Sequence, residues 1–356
     1  MVNQFDTLLT QLGTGKWNFL YFIMSGYQYF MVPQHSYNAA LMTPQLKYDC
    51  LLPDNNNSFH IDQNQCSYNM NDSSVSQHIS CSSWMYDNST FSSTITSEFN
   101  LVCNDAISRA YFTSFYMAGN FIGMPLAGIL GDKIGRKKVV MGSVLIFILC
   151  GNLIYLLPNF TAILAIRFIM GLSKVPVCYI LAMEVCEPKW RSTVGIFLSL
   201  PWAFGVMMLG AFGYLLRDWR DLQMAISLPL ILLIPLVWIL DESPRWLIVT
   251  GRHDEALKVL RRAARLNNSS LPSETELSTM MKQIQNETVE EKEDSKSKKS
   301  SMKICLKSTS AICSKWSLNK IFLITFIDFF VVSTVFYGLS LNGSSYSDDP
   351  YIYLIL

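Results

Sequence analysis

The chain has 356 residues, of which 50 % are hydrophobic and only 15 % are charged. A soluble domain carries about a quarter charged residues, so this composition excludes an ordinary soluble protein and indicates a membrane protein. The formal net charge of +1 gives no argument for a nucleic acid partner, and we predict none.

Seven apolar runs approach or reach the roughly 20 residues that a helix needs to span a bilayer. The predicted spans are residues 16–37, 110–130, 139–157, 162–183, 194–216, 224–240 and 321–341. The first run is long and aromatic-rich and lacks a basic segment before it, which favours a span over a cleaved signal peptide. The predicted fold class is therefore an all-α polytopic membrane protein.

The loop after the first span has the composition of an extracellular segment. It is rich in acids, and before Arg109 its only Lys or Arg is Lys47. It contains three Asn-x-Ser/Thr acceptors for N-glycans, at Asn56, Asn71 and Asn88, and four cysteines, at Cys50, Cys66, Cys81 and Cys103. Sequons with cysteines are typical of an oxidising, extracellular location, although unpaired thiols in a flexible loop are the alternative. Four cysteines allow three pairings, among which the sequence does not choose.

The turn between the second and third spans gives the orientation. From Gly128 to Lys138 it carries four basic residues and one acid. Lys and Arg accumulate in short cytoplasmic loops, so this turn is predicted to face the cytoplasm. The amino terminus is then also cytoplasmic, and the sequon-bearing loop is outside.

The long inner segment divides into two parts. Residues 254–266 carry apolar side chains at helical spacing, namely Ala256, Leu257, Leu260 and Ala264. This pattern predicts an amphipathic helix that lies against the lipid or the helix bundle. Residues 267–303 are rich in Ser, Glu and Lys and lack aromatic residues, which predicts a solvated linker.

The predicted organisation has five parts. Residues 1–37 form the cytoplasmic amino terminus and the first span, and residues 38–109 form the extracellular loop. Residues 110–240 contain spans two to six, and residues 241–320 form the cytoplasmic helix and linker. Residues 321–356 contain the seventh span, an outer loop and the start of an eighth span.

Catalytic motifs are not found in the sequence. The stretch Gly13-Thr-Gly-Lys16-Trp17 suggests a phosphate-binding loop, but it lacks the first glycine at the required distance and the Ser or Thr that would bind magnesium. There is no HExxH helix and no CxxC pair, and the four histidines are scattered. We therefore predict no catalytic residue, no metal site, no cofactor and no enzymatic activity.

The basic turn has features of a conformational switch. Gly128 and Gly131 are expected to let two helices pack closely. Asp132 is expected at the start of the third span, where a carboxylate complements the helix dipole. Together with Arg136, it would form a charge network that holds one conformation of an alternating-access carrier closed. The alternative is a positive-inside loop with no conformational role.

Four stretches of the chain resemble one transporter family. Gly128-x-x-x-Asp132-Lys-x-Gly135-Arg136-Lys resembles the motif between the second and third helices of major facilitator superfamily transporters. Residues 93–103 (STITSEFNLVC), 217–223 (RDWRDLQ) and 242–252 (ESPRWLIVTGR) resemble segments of the solute carrier 22 family of organic ion transporters. The resemblance runs from the outer loop to the end of the chain.

The resemblance implies twelve helices in two six-helix halves, with the substrate site between the halves. This chain offers one half, helix seven and the start of helix eight, so we interpret it as C-terminally truncated, either as a fragment or as a truncated product. The implied function is alternating-access transport of small organic ions at the plasma membrane. Organic cations or carnitine-like zwitterions are favoured, and Na⁺ or an exchanged ion stays open as the counter-ion. The alternatives are an organic anion transporter, a non-transporting half that regulates a membrane-bound partner, and a receptor.

The resemblance also implies which residues gate the carrier. The expected gating residues are Gly128, Asp132, Gly135, Arg136, Arg167, Glu184, Arg191, Glu242 and Arg245. In the family, charges at the inner face form salt bridges that break and reform during transport. Ordinary solvated helix-end charges are the alternative. Arg167, inside the fourth span, is expected either to snorkel outward or to support the site.

The expected substrate-binding residues are mostly aromatic. Phe336 and Tyr337 match an aromatic pair in helix seven that lines the central cavity of the family. Trp202 and Tyr179 are added because aromatic faces bind quaternary or protonated amines, although packing against lipid or helices is the commoner fate of such residues. Lys174 and Asp328 complete the set, because ionisable groups inside spans are costly and usually functional. A snorkelling end charge is the alternative for Asp328.

Overall fold

The computed structural model describes residues 4–51, 59–61, 66–72, 75–174, 177–296, 316–341 and 351. The helices before the basic turn are α1 (Gln4–Leu12), α2 (Lys16–Tyr37), α3 (Ala39–Met42), α4 (Ile95–Glu98) and α5 (Ser108–Ile134). After it come α6 (Arg136–Ile154), α7 (Phe160–Ser173), α8 (Val177–Val185), α9 (Arg191–Phe197), α10 (Leu200–Leu215), α11 (Trp219–Ser227) and α12 (Leu233–Ile239). The remaining helices are α13 (Pro244–Val249), α14 (His253–Asn267), α15 (Glu274–Lys296) and α16 (Trp316–Leu341).

The described residues of the seven apolar runs are mainly helical, and the fourth run is interrupted at Lys174, between α7 and α8. By length and composition alone, four helical segments of the described chain are apolar enough to cross a membrane, namely Arg136–Ile154, Phe160–Val185, Pro188–Leu215 and Trp219–Ile239. The other three runs correspond to α2, α5 and α16, which stay predicted as membrane crossings.

Helices α5 and α7 touch through their backbones. A Cβ atom at Gly171 would overlap the carbonyl oxygen of Tyr116, and one at Gly119 would overlap that of Phe168. Small residues permit this close approach inside a membrane bundle. Gly205 of α10 packs in the same way against the carbonyl oxygen of Phe30 on α2.

The expectation that Gly128 mediates close packing is wrong, because a Cβ at Gly128 would have no atom of the described chain within 4 Å. The buried small residues of α5 recur every fourth position, at Gly119, Gly123, Ala127 and Gly131. Gly128 is one residue out of this series, and one residue turns a helix by about 100°. Gly131 does permit close packing at the turn, since a Cβ added there would lie only 3.1 Å from Nη1 of Arg136.

The outer loop forms a small β-domain, which the all-α fold class did not foresee. Its strands are β1 (Tyr48–Cys50), β2 (Phe59–Ile61), β3 (Ser67–Asp72), β4 (Val75–Ser80) and β5 (Trp84–Tyr86). Strand β1 pairs with β5, and β3 lies between β2 and β4, all antiparallel. Disulfides join Cys50 to Cys81 and Cys66 to Cys103, with Cα–Cα distances of 5.8 and 5.7 Å. These interleaved bonds select one of the three pairings that the sequence left open.

Four helices form a layer at the end of the bundle that carries the basic turn, which we term the inner end. The opposite end, at the β-domain, is termed the outer end. Amphipathic α1 buries one face, and α14 packs its apolar side against α1, α2 and α13, so α14 lies on the protein. The prediction of a solvated linker is wrong for the first part of α15, up to Ile284. Its Leu277, Met281 and Ile284 are buried. Their spacing of four and three residues gives one helical face, which the surrounding polar residues obscured in the sequence.

The contact between α5 and α7 gives a first prediction. Replacing Gly171 by Leu forces the two helices apart, and overpacking of this kind costs about 1–3 kcal/mol. Purified Gly171→Leu protein is therefore expected to melt at a lower temperature than wild type in a fluorescence-detected thermal shift assay. Gly142→Leu on α6 is the matched control, because a Cβ there meets no atom within 4 Å. Equal melting temperatures for the two variants would contradict the packing described here.

Candidate functional site

Arg136 joins three helices at the inner end of the bundle. Its Nη1 lies 2.6 Å from Oδ1 of Asp132 on α5, and its Nε lies 3.3 Å from Oε1 of Glu184 on α8. The side chains of Arg136 and Glu184 are 16 % and 13 % exposed, whereas that of Asp132 is 72 % exposed. The basic turn thus contains one nearly buried ion pair and one solvated ion pair.

Glu242 caps the start of α6. One of its oxygens, Oε1, accepts the backbone N–H groups of Lys137 at 2.9 Å and of Ser243 at 3.0 Å. A carboxylate at the amino end of a helix complements the helix dipole. The sequence had assigned this role to Asp132, which is wrong because α5 continues to Ile134 and places Asp132 in its last turn.

Gly135 makes the turn between α5 and α6 possible. Its φ is +109°, in a region that side chains with a Cβ rarely adopt. A Cβ would also overlap Oε2 of Glu242. Around this turn, Nζ of Lys137 donates to the carbonyls of Trp238 and Leu240, and Nε1 of Trp246 donates to the carbonyl of Asp132 at 2.9 Å. The turn therefore binds the end of α12 and the body of α13.

The other expected gating charges lie elsewhere. Arg191 pairs with Asp6 of α1 at 2.6 Å, and its Nε donates to the carbonyl of Cys186 at 3.3 Å. Arg245 is exposed and forms no ion pair within the described residues. Burial raises the pKa of the Cys186 thiol to about 11, so the thiol stays protonated at neutral pH.

Asn267, at the end of α14, holds the first two helices in place. Its Oδ1 accepts the N–H of Trp17 at 3.0 Å, and its Nδ2 donates to the carbonyl of Gly13 at 3.1 Å and to Asn18 at 2.9 Å. Neither α1 nor this contact was predicted. Only the start of α2 indicated that a partner was needed, because the first N–H groups of a helix lack intrahelical acceptors.

Arg167 is fully buried in the outer half of the bundle and does not snorkel. Its Nη1 donates to the carbonyl of His35 on α2 at 2.9 Å, and its Nε donates to that of Phe112 on α5 at 3.4 Å. The guanidinium lies 4.0 Å from the ring centre of Phe112 and 4.6 Å from that of Tyr116. Within the described chain no carboxylate pairs with it and Nη2 has no hydrogen-bond partner. Carbonyl dipoles and ring faces therefore stabilise this charge.

Lys174 lies at the break between α7 and α8, where the predicted fourth span is interrupted. Its Nζ donates to Oγ of Ser36 at 3.3 Å. The same atom lies 5.5 Å from the ring centre of Tyr116 and 5.4 Å from that of Trp202. A small cavity beside it is also lined by Gln28 and Ser173.

Five rings from four helices extend from this position and form what we term the aromatic cluster: Tyr29, Tyr37, Tyr116, Tyr179 and Trp202. The ring centre of Trp202 lies 6.1 Å from that of Tyr29 and 6.2 Å from that of Tyr37, and Tyr29 lies 6.1 Å from Tyr179. The structure thus brings the predicted Lys174, Tyr179 and Trp202 together. Sequence reasoning missed the other three tyrosines, although Tyr29 and Tyr37 are about two helical turns apart on α2.

The remaining predicted residues lie outside the aromatic cluster or outside the described residues. Asp328 is exposed on α16 and forms no hydrogen bond or ion pair with the described chain. Phe336 and Tyr337 lie in α16, but their side chains are outside the described part. Asn56 is also outside it, as is the side chain of Asn71 on β3, whereas Asn88 is exposed after β5. No cluster of His, Cys, Asp or Glu among the described residues is arranged to hold a metal ion.

Two of the motif stretches meet at the outer end of the bundle. Glu98 of α4 accepts Nε1 of Trp219 at 2.8 Å and forms an ion pair with Arg220. Arg220 stacks over Trp219 at 4.5 Å and donates to the carbonyl of Tyr155, at the turn between α6 and α7. This outer clamp, formed by Glu98, Trp219 and Arg220, fixes the β-domain to the bundle.

Residues 37–341 match the protein family described as Sugar (and other) transporter. The chain belongs to this family. It therefore has the fold of the major facilitator superfamily, as the basic turn predicted.

The chain is also similar to individual curated transporters. "Organic cation transporter protein" of Drosophila melanogaster is 31 % identical over 74 % of this chain and 47 % of its own length. "Solute carrier family 22 member 2" of Homo sapiens is 37 % identical over 53 % of this chain and 34 % of its own length. "Solute carrier family 22 member 6" of Mus musculus is 30 % identical over 77 % of this chain and 49 % of its own length.

These relatives confirm the resemblance to the solute carrier 22 family. They are transporters and not enzymes, as predicted. The chain spans about half the length of the Drosophila and mouse relatives.

The inner-face geometry gives a second prediction. Glu242→Ala removes the acceptor of two backbone N–H groups, and a buried donor left unpaired costs about 1–3 kcal/mol. We expect faster amide hydrogen exchange at Lys137 and Ser243 in the variant, measured by mass spectrometry in detergent. Asp254→Ala, which removes an exposed acid from the first turn of α14, should leave both amides unchanged. If Glu242→Ala also leaves their exchange unchanged, Glu242 is not the cap of α6.

Proposed function

We propose that this chain forms the first half of an alternating-access carrier for small organic ions, with carnitine-like zwitterions as the favoured substrates. The observation that carries the proposal is the position of Lys174 within the aromatic cluster, in the interior of the bundle. Membership of a transporter family and the names of the relatives support it.

The chemistry of the aromatic cluster favours a substrate with two opposite charges. Tyrosine and tryptophan faces attract quaternary or protonated amines. The ammonium of Lys174, 5.4 Å from the Trp202 ring centre, repels such a cation but pairs with a carboxylate. A zwitterion satisfies both features, whereas a simple cation meets only the rings and a simple anion meets only Lys174.

The charges around the basic turn suit an inner gate. Arg136 holds the ends of α5 and α8 to α6, and Glu242 holds α6 to α13. The pair between Arg136 and the solvated Asp132 contributes only about 0.2–1 kcal/mol, so it breaks and reforms at low cost during a transport cycle. The nearly buried pair between Arg136 and Glu184 is costlier to break and would hold the gate closed. In this proposal Asp132, Arg136, Glu184 and Glu242 form the gate, and Arg167 is a fixed support.

The proposed location is the plasma membrane, with the amino terminus in the cytoplasm. The β-domain, with its disulfides and sequons, precedes the start of α5, and the basic turn follows the end of α5. Opposite ends of one spanning helix face opposite sides of the membrane. Na⁺ or an exchanged organic ion would supply the driving force.

Uptake measurements test the substrate class. Cells that express the complete reading frame encoding this chain should take up labelled carnitine in preference to tetraethylammonium or p-aminohippurate. Lys174→Met should lower carnitine uptake about tenfold or more, since losing a buried charge pair costs 2 kcal/mol or more, and should not lower tetraethylammonium uptake. Lys189→Met, which removes a cation from the inner turn, is the control and should match wild type.

The other uptake outcomes decide between the alternatives. Preferred uptake of p-aminohippurate would establish the organic anion alternative. No uptake of any of the three compounds, with normal surface expression, would defeat the carrier proposal.

The gate has its own test in the same cells. Asp132→Asn and Arg136→Ala should slow maximal uptake several-fold without changing surface expression, because each removes an ion pair that holds the inner ends together. Arg252→Ala is the matched control, since it breaks the exposed pair between Arg252, just before α14, and Glu255 in the first turn of α14. Wild-type kinetics in both gate variants would favour the alternative in which the basic turn sets only the orientation.

A further inference from the structure

A groove of about 720 Å³ lies on the β-domain, away from the aromatic cluster. Small-molecule sites in proteins measure roughly 300–1,000 Å³, so the groove is large enough for a ligand. Its walls include Tyr48 of β1 and Tyr86 of β5, whose ring centres are 6.3 Å apart. Met85 also lines the groove, and 60 % of it is exposed. Aromatic and thioether surface is thus available to a ligand.

The walls of the groove are held in fixed positions. Tyr48 and Tyr86 face each other in the register of β1 with β5. The hydroxyl of Tyr86 donates to Oδ1 of Asn100 at 3.1 Å, and the N–H of Asp87 donates to the carbonyl of Lys47 at 3.0 Å. The hydroxyl of Tyr48 lies 3.7 Å from the sulfur atoms of the disulfide between Cys66 and Cys103. A preformed groove costs a ligand little reorganisation on binding.

Asn88 also lines the groove and is exposed. It is the acceptor of the sequon Asn88-Ser89-Thr90. In N-glycosylation its Nδ2 bonds to the anomeric carbon of an oligosaccharide carried by a lipid diphosphate. The bond between that carbon and the diphosphate breaks, and the amide loses one proton. The sugar is therefore attached at the edge of the groove.

We propose that the groove is the binding site for the core N-acetylglucosamine residues of the glycan on Asn88. The apolar face of a sugar ring packs on Tyr86, beside Tyr48 on the same face of the sheet. Its hydroxyl and acetamide groups find a donor in Lys47 and an acceptor in Asp49, both of which line the groove. The inference rests on the proposed extracellular orientation of this domain.

Tethering decides between the glycan and a free organic ion as the occupant. A group attached by a short linker has an effective concentration in the millimolar range at a neighbouring site. The glycan therefore occupies the groove even if its intrinsic affinity is weak. A free organic ion displaces it only if the ratio of the ion's concentration to its dissociation constant exceeds the same ratio for the tethered glycan.

The rate of enzymatic deglycosylation tests the proposal. The full chain, expressed in mammalian cells and kept folded in detergent, is treated with peptide N-glycosidase, and release at each sequon is followed by mass spectrometry. Release at Asn88 is expected to be about tenfold slower in folded wild type than in Tyr86→Ala, a factor that corresponds to about 1.4 kcal/mol. Tyr86→Phe keeps the ring and loses the hydroxyl, so it should stay slow.

Three controls make the result decisive. Release at Asn71 should be the same in all three proteins, which shows that the β-domain is folded. If it rises in Tyr86→Ala, then Tyr48→Ala replaces that variant. After denaturation, Asn88 should be released at the same rate in every protein.

Two outcomes overturn the inference or its premise. Equal release at Asn88 in folded wild type and Tyr86→Ala would show that the glycan does not occupy the groove. Absence of a glycan from all three sequons would overturn the proposed orientation, whereas an occupied Asn88 with no measurable transport would defeat only the carrier proposal.

Discussion

The backbone contact between α5 and α7 is the constraint on which the rest of the bundle depends. Gly119 and Gly171 remove the side chains that would keep the two helices apart. The contact brings Arg167 of α7 within hydrogen-bond distance of the carbonyl of Phe112 on α5. It also brings Lys174, just past the end of α7, within reach of the Tyr116 ring. The polar interior is therefore built around a contact made by residues without side chains.

The guanidinium of Arg167 is stabilised in the interior of the bundle without an acidic partner among the described residues. An isolated charge in a membrane interior costs several kcal/mol unless dipoles or rings surround it. Arg167 receives two backbone carbonyls and two ring faces from α2 and α5. These partners are parts of rigid helices, so Arg167 fixes the relative positions of three helices. Lys174, in contrast, lies at a helix break beside a small cavity.

The sequence predicted what depends on periodicity and composition, and it missed what depends on tertiary contacts. Apolar runs located the seven long helical segments, because a bilayer requires about 20 apolar residues whatever the neighbours are. The identity of the acid that caps α6 was not predictable. From the sequence alone, the carboxylates of Asp132 and Glu242 are equally plausible caps for α6. Only the length of α5 and the path of the chain after α12 place Glu242 at the start of α6.

The aromatic cluster shows the same limit. Trp202 and Tyr179 were selected by residue type alone, which did not distinguish them from Tyr29 and Tyr37. Only the packing of α2 against α8 and α10 makes one cluster of these rings. Likewise Leu277, Met281 and Ile284 are the buried residues among the described side chains of α15. Helix α15 contacts α13 and α1, and α1 was itself not predicted. An amphipathic pattern is informative only when the surface that it covers is known.

The two ends of the bundle are held by different kinds of contact. At the outer end, Trp219 is buried and the outer clamp bonds to a domain closed by two disulfides. At the inner end, the pair between Arg136 and Asp132 is open to solvent on the Asp132 side, where water competes for both partners. Separation of α5 and α6 from α8 breaks the pair between Arg136 and Glu184, whose side chains are 16 % and 13 % exposed. Loss of such a nearly buried pair costs more than loss of a solvated pair. The contact between Arg136 and Glu184 is therefore the charge interaction at the inner end that is costly to break.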